Sequence, residues 1–169
     1  MSYKNGNMKT IELHENGLDI QFRIRENGVV ELADFSSQGV KKAAMEPKED
    51  IYYPAVEIHR SGTGSLNMHA YKNNINQSSV DFVYENHELK EQEGGKELEI
   101  VMVSPEKLKA VYHMRLFDGI PAVQTWTEIT NEGSEDQGLT HVSSFIYQGI
   151  SRGGEKPYYK KTDIYVPFN

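Results

Sequence analysis

Residues 111–150 read VYHMRLFDGIPAVQTWTEITNEGSEDQGLTHVSSFIYQGI, and this stretch decides the fold. It is a β-hairpin turning at Phe117-Asp118-Gly119, followed by a third strand. On the second strand Trp126, the only tryptophan of the chain, shares a face with Glu128 and Thr130, after Ala122 and Gln124. The opposite set of Val123, Thr125, Thr127 and Ile129 is no more polar, so both faces are expected to be covered. That assigns Trp126 to core or interdomain packing, with stacking on a sugar ring as the functional alternative.

The same period of two recurs toward the amino terminus. In LDIQFRIRE, Leu18, Ile20, Phe22 and Ile24 fall on one side and Asp19, Gln21, Arg23 and Arg25 on the other, the signature of a strand with one buried face. Glu-Asn-Gly stands at both ends, at residues 15–17 and 26–28, and Asn-Gly is a strong hairpin signal because both residues tolerate positive φ. A meander follows: Thr10 to His14, Leu18 to Arg25 and Val29 to Phe35. Ser36 to Asp50 reads as a loop. Strands are expected at Tyr53 to Arg60, Leu66 to Lys72 and Val80 to Asn86, then on either side of a Gly94-Gly95 turn. The four apolar residues Ile100 to Val103 suggest burial on both faces. Ser104-Pro105 is placed to open one helical turn, serine as cap and proline at the first position. Beyond Ile150, Arg152-Gly153-Gly154 makes a turn and a last strand runs from Thr162 to Val166. Many short strands with Gly and Asn turns and no long amphipathic helix define an all-β chain, a two-layer antiparallel β-sandwich.

Composition narrows the function. At 169 residues the chain is one domain, 1–169, large enough to bury a core without staples. It has no cysteine, which excludes thiol nucleophiles, thiolate metal sites and disulfides. A net charge of −7, with no basic cluster longer than Lys41-Lys42 or Lys160-Lys161, argues against nucleic acid. No apolar run approaches the roughly 20 residues of a membrane span, and the first residues lack the apolar core of a secretory signal. A cytoplasmic protein without membrane contact is expected, and the sequon Asn76-Gln77-Ser78 then has no meaning.

No motif for chemistry stands out. Six histidines, His14, His59, His69, His87, His113 and His141, show no helical metal-binding pairing, and only His59 and His69 are placed to meet across a turn. Solvated or hydrogen-bonded strand histidines are the better reading, and no cofactor is implied. Gly62-x-Gly64 lacks the third glycine and the helix of a dinucleotide loop. Acidic residues are abundant, but abundance selects no glycosidase pair. Asp34 and Asp118 are the least solvent-directed, and turn formation accounts for Asp118. Tyr52-Tyr53 and Tyr158-Tyr159 are candidates for a docking face.

A resemblance goes further. The segments LFDG, QTWTEITN and LTHVSSF, at residues 116–119, 124–131 and 139–145, resemble in content and spacing the amino-terminal domain of family 36 glycoside hydrolases, the bacterial α-galactosidases. There an aromatic-acidic turn is followed by R-S-W-T-E-x-x-N and then L-x-x-x-S-S-F. Tyr165-Val166-Pro167-Phe168-Asn169 is similar to the family's Y-x-P-H-N, and EDIYYPAVEIH at 49–59 to a D-F-R-x-P-A-x-x-I segment. The resemblance implies a supersandwich like that of galactose mutarotase. It further implies that the two catalytic Asp residues belong to a (β/α)₈ barrel outside these 169 residues. This chain would then be a non-catalytic domain truncated before that barrel, packing on it, supporting homo-oligomer assembly and meeting galacto-oligosaccharide only through the parent. Asp50 takes the motif's Asp position and is the carried-over substrate contact. Tyr52 stands where the family has Arg, a departure that bears on specificity. Two competitors remain: a freestanding carbohydrate-binding sandwich using Trp126, and a mutarotase-type epimerase, which needs a His and an acidic base at the sugar ring and for which 169 residues is short.

Overall fold

A computed structural model describes residues 8–37, 53–63 and 77–147. The amino-terminal meander forms as its alternation requires: β1 (Lys9–Glu15), β2 (Leu18–Ile24) and β3 (Val30–Ser37) pair antiparallel in that order. The two Glu-Asn-Gly turns differ. Asn16 and Gly17 both take positive φ, 52° and 83°, and close a two-residue hairpin with Glu15 opposite Leu18. At the second, only Gly28 is left-handed, and Arg25 bonds Val29 through its N–H at 2.9 Å, a longer loop from the same tripeptide. The β2–β3 register shifts between Gln21, opposite Asp34, and Phe22, opposite Leu32; Ala33 is the extra residue of a bulge in β3, so the inward positions pass from Leu32 to Phe35.

A second meander supplies the other layer: β5 (Val83–Gln92), β6 (Gly95–Val103), β7 (Leu108–Phe117) and β8 (Ile120–Asn131). The turn expected at Gly94-Gly95 falls one residue earlier, at Glu93-Gly94, with Gln92 opposite Gly95. At Gly95, φ is 155° and a Cβ would lie 1.9 Å from the Leu116 carbonyl oxygen, so only glycine fits. The expected helical turn at Ser104 is instead a tight connection between β6 and β7. The Lys107 N–H donates to the Ser104 carbonyl at 2.9 Å, Lys107 takes φ 63°, and the strand pattern Leu108 to Leu116 resumes at once. Ser-Pro starts a turn as readily as a helix; without a helical stripe after it, the turn stops there.

Between the meanders the chain departs from the sequence reading. Of Tyr53 to Arg60 only Ile58–Arg60 is a strand, β4; Pro54 makes an isolated bridge to Glu31, and the Ala55 N–H donates to the Val30 carbonyl. Residues 77–81, expected to lead into a strand from Val80, form the short helix α1 (Gln77–Asp81). Its Ser78 and Ser79 hydroxyls bond the backbone of Ile58 and Arg60, doing for the β4 edge what a neighbouring strand would do. The other edge of β4 pairs with β9 (Leu139–Val142). The strand expected at Leu66 to Lys72, the Arg152 turn and the strand at Thr162 to Val166 lie outside the described residues.

One core lies between the layers. Ile20, Phe22 and Leu32 from the first sheet and Leu98, Ile100, Tyr112, Met114 and Leu116 from the second are all buried in a single cluster. The Phe22 and Tyr112 rings meet edge to face with centroids 5.7 Å apart. The Ile100 to Val103 run is not buried on both faces: Ile100 and Met102 are buried, whereas Val101 and Val103 are half-buried on the outer side. The architecture is thus nearly all-β, with antiparallel sheets packed as a sandwich. Phe22→Ala should lower the unfolding free energy by about 3–5 kcal/mol, the range for truncating a buried aromatic. Urea denaturation showing a loss below about 1 kcal/mol would contradict a core shared by both sheets.

Candidate functional site

Alternation sends Leu98, Ile100, Tyr112 and Met114 inward and leaves Glu97, Glu99, His113 and Trp126 on the outer face of the four-stranded sheet. The registers place Glu88, Glu99, His113 and Trp126 in one row across β5, β6, β7 and β8. His113 is the centre of a cluster. Its ring is stacked on the Trp126 indole, with centroids 4.6 Å apart and planes within 4°, which buries it although it points away from the core. Its Nδ1 lies 2.8 Å from Glu97 Oε1 and 3.9 Å from Glu99 Oε1, while Nε2 lies 3.7 Å from Glu128 Oε1. The other oxygens of the first two carboxylates are held from the edge strand, Glu97 by Gln92 and Glu99 by Lys90. The Trp126 indole N–H points at Glu128 Oε1, 3.4 Å away.

Trp126 therefore does not belong to the core, which removes the core half of the expectation of core or interdomain packing. Val123 and Ile129 on the opposite face of β8 pack against the core, and Trp126 is half-buried on the outside. The strand looked equally apolar on both sides because the ring that covers Trp126 is supplied by β7. Sequence reasoning did not single out His113, Glu97 or Glu99. The signal for Glu99 and His113 was present: each stands five residues from the connection closed by Ser104 and Leu108, which makes them direct partners. Trp126 was harder, because a register shift between Leu116 and Phe117 slides β8 by two residues and brings it over His113 rather than Val111.

A second polar cluster lies on the outer face of the three-stranded sheet. Glu31 is completely buried, its Oε2 accepting from Arg23 Nε at 3.0 Å and Nη2 at 2.7 Å, its Oε1 from Arg25 Nη1 at 3.2 Å and the Tyr53 N–H at 3.0 Å. Arg23 and Glu31 are cross-strand partners. The Tyr53 bond anchors the segment that follows the candidate residues Asp50 and Tyr52, which themselves lie outside the described residues. Asp118 is exposed in the β7–β8 turn, and Asp34 is half-buried and accepts from Ser36 Oγ. The partner expected for His59 across the turn, His69, lies outside the described residues. His59 meets His141 across the β4–β9 pair, ring centroids 5.1 Å apart, and its Nε2 is 2.8 Å from Glu57 Oε1. Among the described residues no helix is long and apolar enough to cross a membrane.

The Arg–Glu–Arg arrangement is structural by its chemistry: each Glu31 oxygen already has two donors, leaving no lone pair for a ligand. Removing the carboxylate strands buried guanidinium groups. Glu31→Ala should cost about 3–5 kcal/mol in urea unfolding, as for breaking a buried pair from one side. A loss below about 1 kcal/mol would show that the pair is not buried in solution.

No protein-family model and no curated protein matches the chain. Solved structures do. The family 36 α-galactosidase AgaA from Geobacillus stearothermophilus is similar at 14% identity with a TM-score of 0.57, over 78% of this chain. A variant of that enzyme in complex with raffinose is similar at 13% identity with a TM-score of 0.52, again over 78% of this chain. In both cases the match spans 23% of the longer chain. The likeness is one of fold, to a part of those enzymes.

Proposed function

We propose that this chain is a non-catalytic domain of an α-galactosidase-like glycoside hydrolase, packing on a catalytic barrel and supporting oligomer assembly. The observation that carries the reading is the partial overlap: 78% of this chain superposes on 23% of a family 36 α-galactosidase. The sequence segments 116–119, 124–131 and 139–145 support it, since they resemble the family's amino-terminal domain. Exposed Leu139, the first residue of β9, and Phe145, just after that strand, offer apolar surface of the kind a neighbouring domain covers. On this reading the protein is cytoplasmic and the parent enzyme cleaves terminal α-galactosides. Asp50 and Tyr52 edge its sugar pocket, and the nucleophile and general acid/base both come from the barrel.

The purified 169-residue chain should give no turnover of a chromogenic α-galactoside, and turnover would overturn the reading. The reading frame around the gene should encode a (β/α)₈ barrel with an Asp at the ends of two strands; an unrelated neighbouring domain would count equally against it.

A second reading, a freestanding sugar-binding sandwich, is favoured by the outward position of Trp126 beside three carboxylates. It predicts calorimetric binding of galactose or raffinose at millimolar or better affinity, lost in Trp126→Ala with the fold intact by circular dichroism. Absence of heat at millimolar sugar removes this reading.

A further inference from the structure

We propose that Glu97, Glu99 and His113 form a binding site for a divalent transition metal ion of the zinc class on the outer face of the four-stranded sheet. One donor atom from each lies within 4.8 Å of the other two, and one imidazole with two carboxylates is a donor set suited to zinc. The strands already hold these groups in place. Glu99 and His113 are direct cross-strand partners, and Glu97 reaches His113 diagonally from the next outward position of β6. Gln92 and Lys90 engage Oε2 of each glutamate, which leaves the Oε1 atoms directed at His113 Nδ1. Stacking on Trp126 fixes the plane of the ring.

An independent observation comes from the far side of the imidazole. His113 Nε2 is buried and has no hydrogen-bond partner among the described residues, and Glu128 Oε1 lies 3.7 Å from it. In a neutral imidazole whose Nδ1–H donates to Glu97, Nε2 is a bare acceptor facing a carboxylate, an arrangement with nothing to satisfy it. A metal ion on Nδ1 reverses this. Nδ1 then gives its lone pair to the ion, the ring proton resides on Nε2, and the mismatch becomes a donor facing Glu128. That is the carboxylate–histidine–metal arrangement by which proteins orient a ligating imidazole. Three protein donors leave a fourth tetrahedral position for water. The competing account is an imidazolium caged by Glu97, Glu99 and Glu128, which needs no metal.

The test uses the metal-free chain titrated with Zn²⁺. The single tryptophan rests on the proposed ligand, so its fluorescence reports binding there, with calorimetry giving the stoichiometry. One equivalent should bind, saturably and reversibly with EDTA. His113→Gln and Glu99→Gln should each weaken binding at least tenfold, whereas His59→Gln, at the other histidine pair, should leave it unchanged. No saturable binding, or binding of undiminished strength in the His113 and Glu99 variants, overturns the proposal. Should His113→Gln lose its fold by circular dichroism, half-buried Glu99→Gln decides. Nitrogen-15 spectra of the His113 ring give a further readout: a proton on Nε2 alone in the Zn²⁺-loaded protein is expected. Protons on both ring nitrogens at saturating Zn²⁺ would identify the caged imidazolium instead and overturn the site.

Discussion

The edge-to-face contact of Phe22 with Tyr112 is the point at which two separately formed meanders become one domain. Each sheet can make its own hydrogen bonds without the other, because neighbouring strands are joined by short turns. Neither can bury its apolar face alone. Fusing the faces removes Ile20, Phe22, Leu98, Ile100, Tyr112 and Met114 from water together, and everything on the outer surfaces inherits its position from that. Because inward residues are fixed by the core, the outward ones between them are fixed too: Arg23 and Glu31 on one side, Glu97, Glu99 and His113 on the other. A one-residue slip of register would exchange core and surface sets, so the polar clusters are held by apolar packing behind them.

The corner between the sheets adds a second constraint. The Tyr84 N–H donates to the Gly28 carbonyl, and a Cβ on Gly28 would approach Val83 Cβ to 2.8 Å. At the opposite end the Gly119 N–H donates to Asn16 Oδ1 at 2.9 Å, joining the first hairpin turn to the β7–β8 turn. The turn residues therefore serve twice, once in reversing the chain and once in aligning the layers.

Much of the fold was legible in the sequence because period two and turn chemistry are local. The first meander, the glycine turn between β5 and β6 and the strands around residues 111–142 follow from alternation and turn residues together. What was not legible depends on partners distant in sequence. Ser78 and Ser79 adopt a helix because their hydroxyls meet the backbone of Ile58. Glu31 tolerates complete burial because Arg23, Arg25 and the Tyr53 N–H converge on it, and nothing within residues 29–35 announces Tyr53. The stacking of Trp126 on His113 depends on a β7–β8 register shift that leaves no trace in composition. The resemblance to family 36 reached the same fold from short motifs, although overall identity with the matching enzymes is only 13–14%. A pattern of inward apolar residues survives at identities where most individual side chains have changed.

Among the described residues the β4–β9 pair differs in kind from the other ladders. Thr140 and His59, joined across it by a hydrogen bond, are separated by 81 positions, whereas the meander strands are joined by turns. Closing a loop of that length costs about 4 kcal/mol of chain entropy, apart from a constant. A ladder of three register pairs does not offset such a cost unaided. The order of assembly follows from this: the meanders, rich in nearby contacts, come first, and their collapse shortens the effective loop before β4 and β9 meet. The seam that ties residues 58–60 to 139–142 is then later to form than the meanders and earlier to open, so among the described ladders the longest search and the readiest fraying share one place.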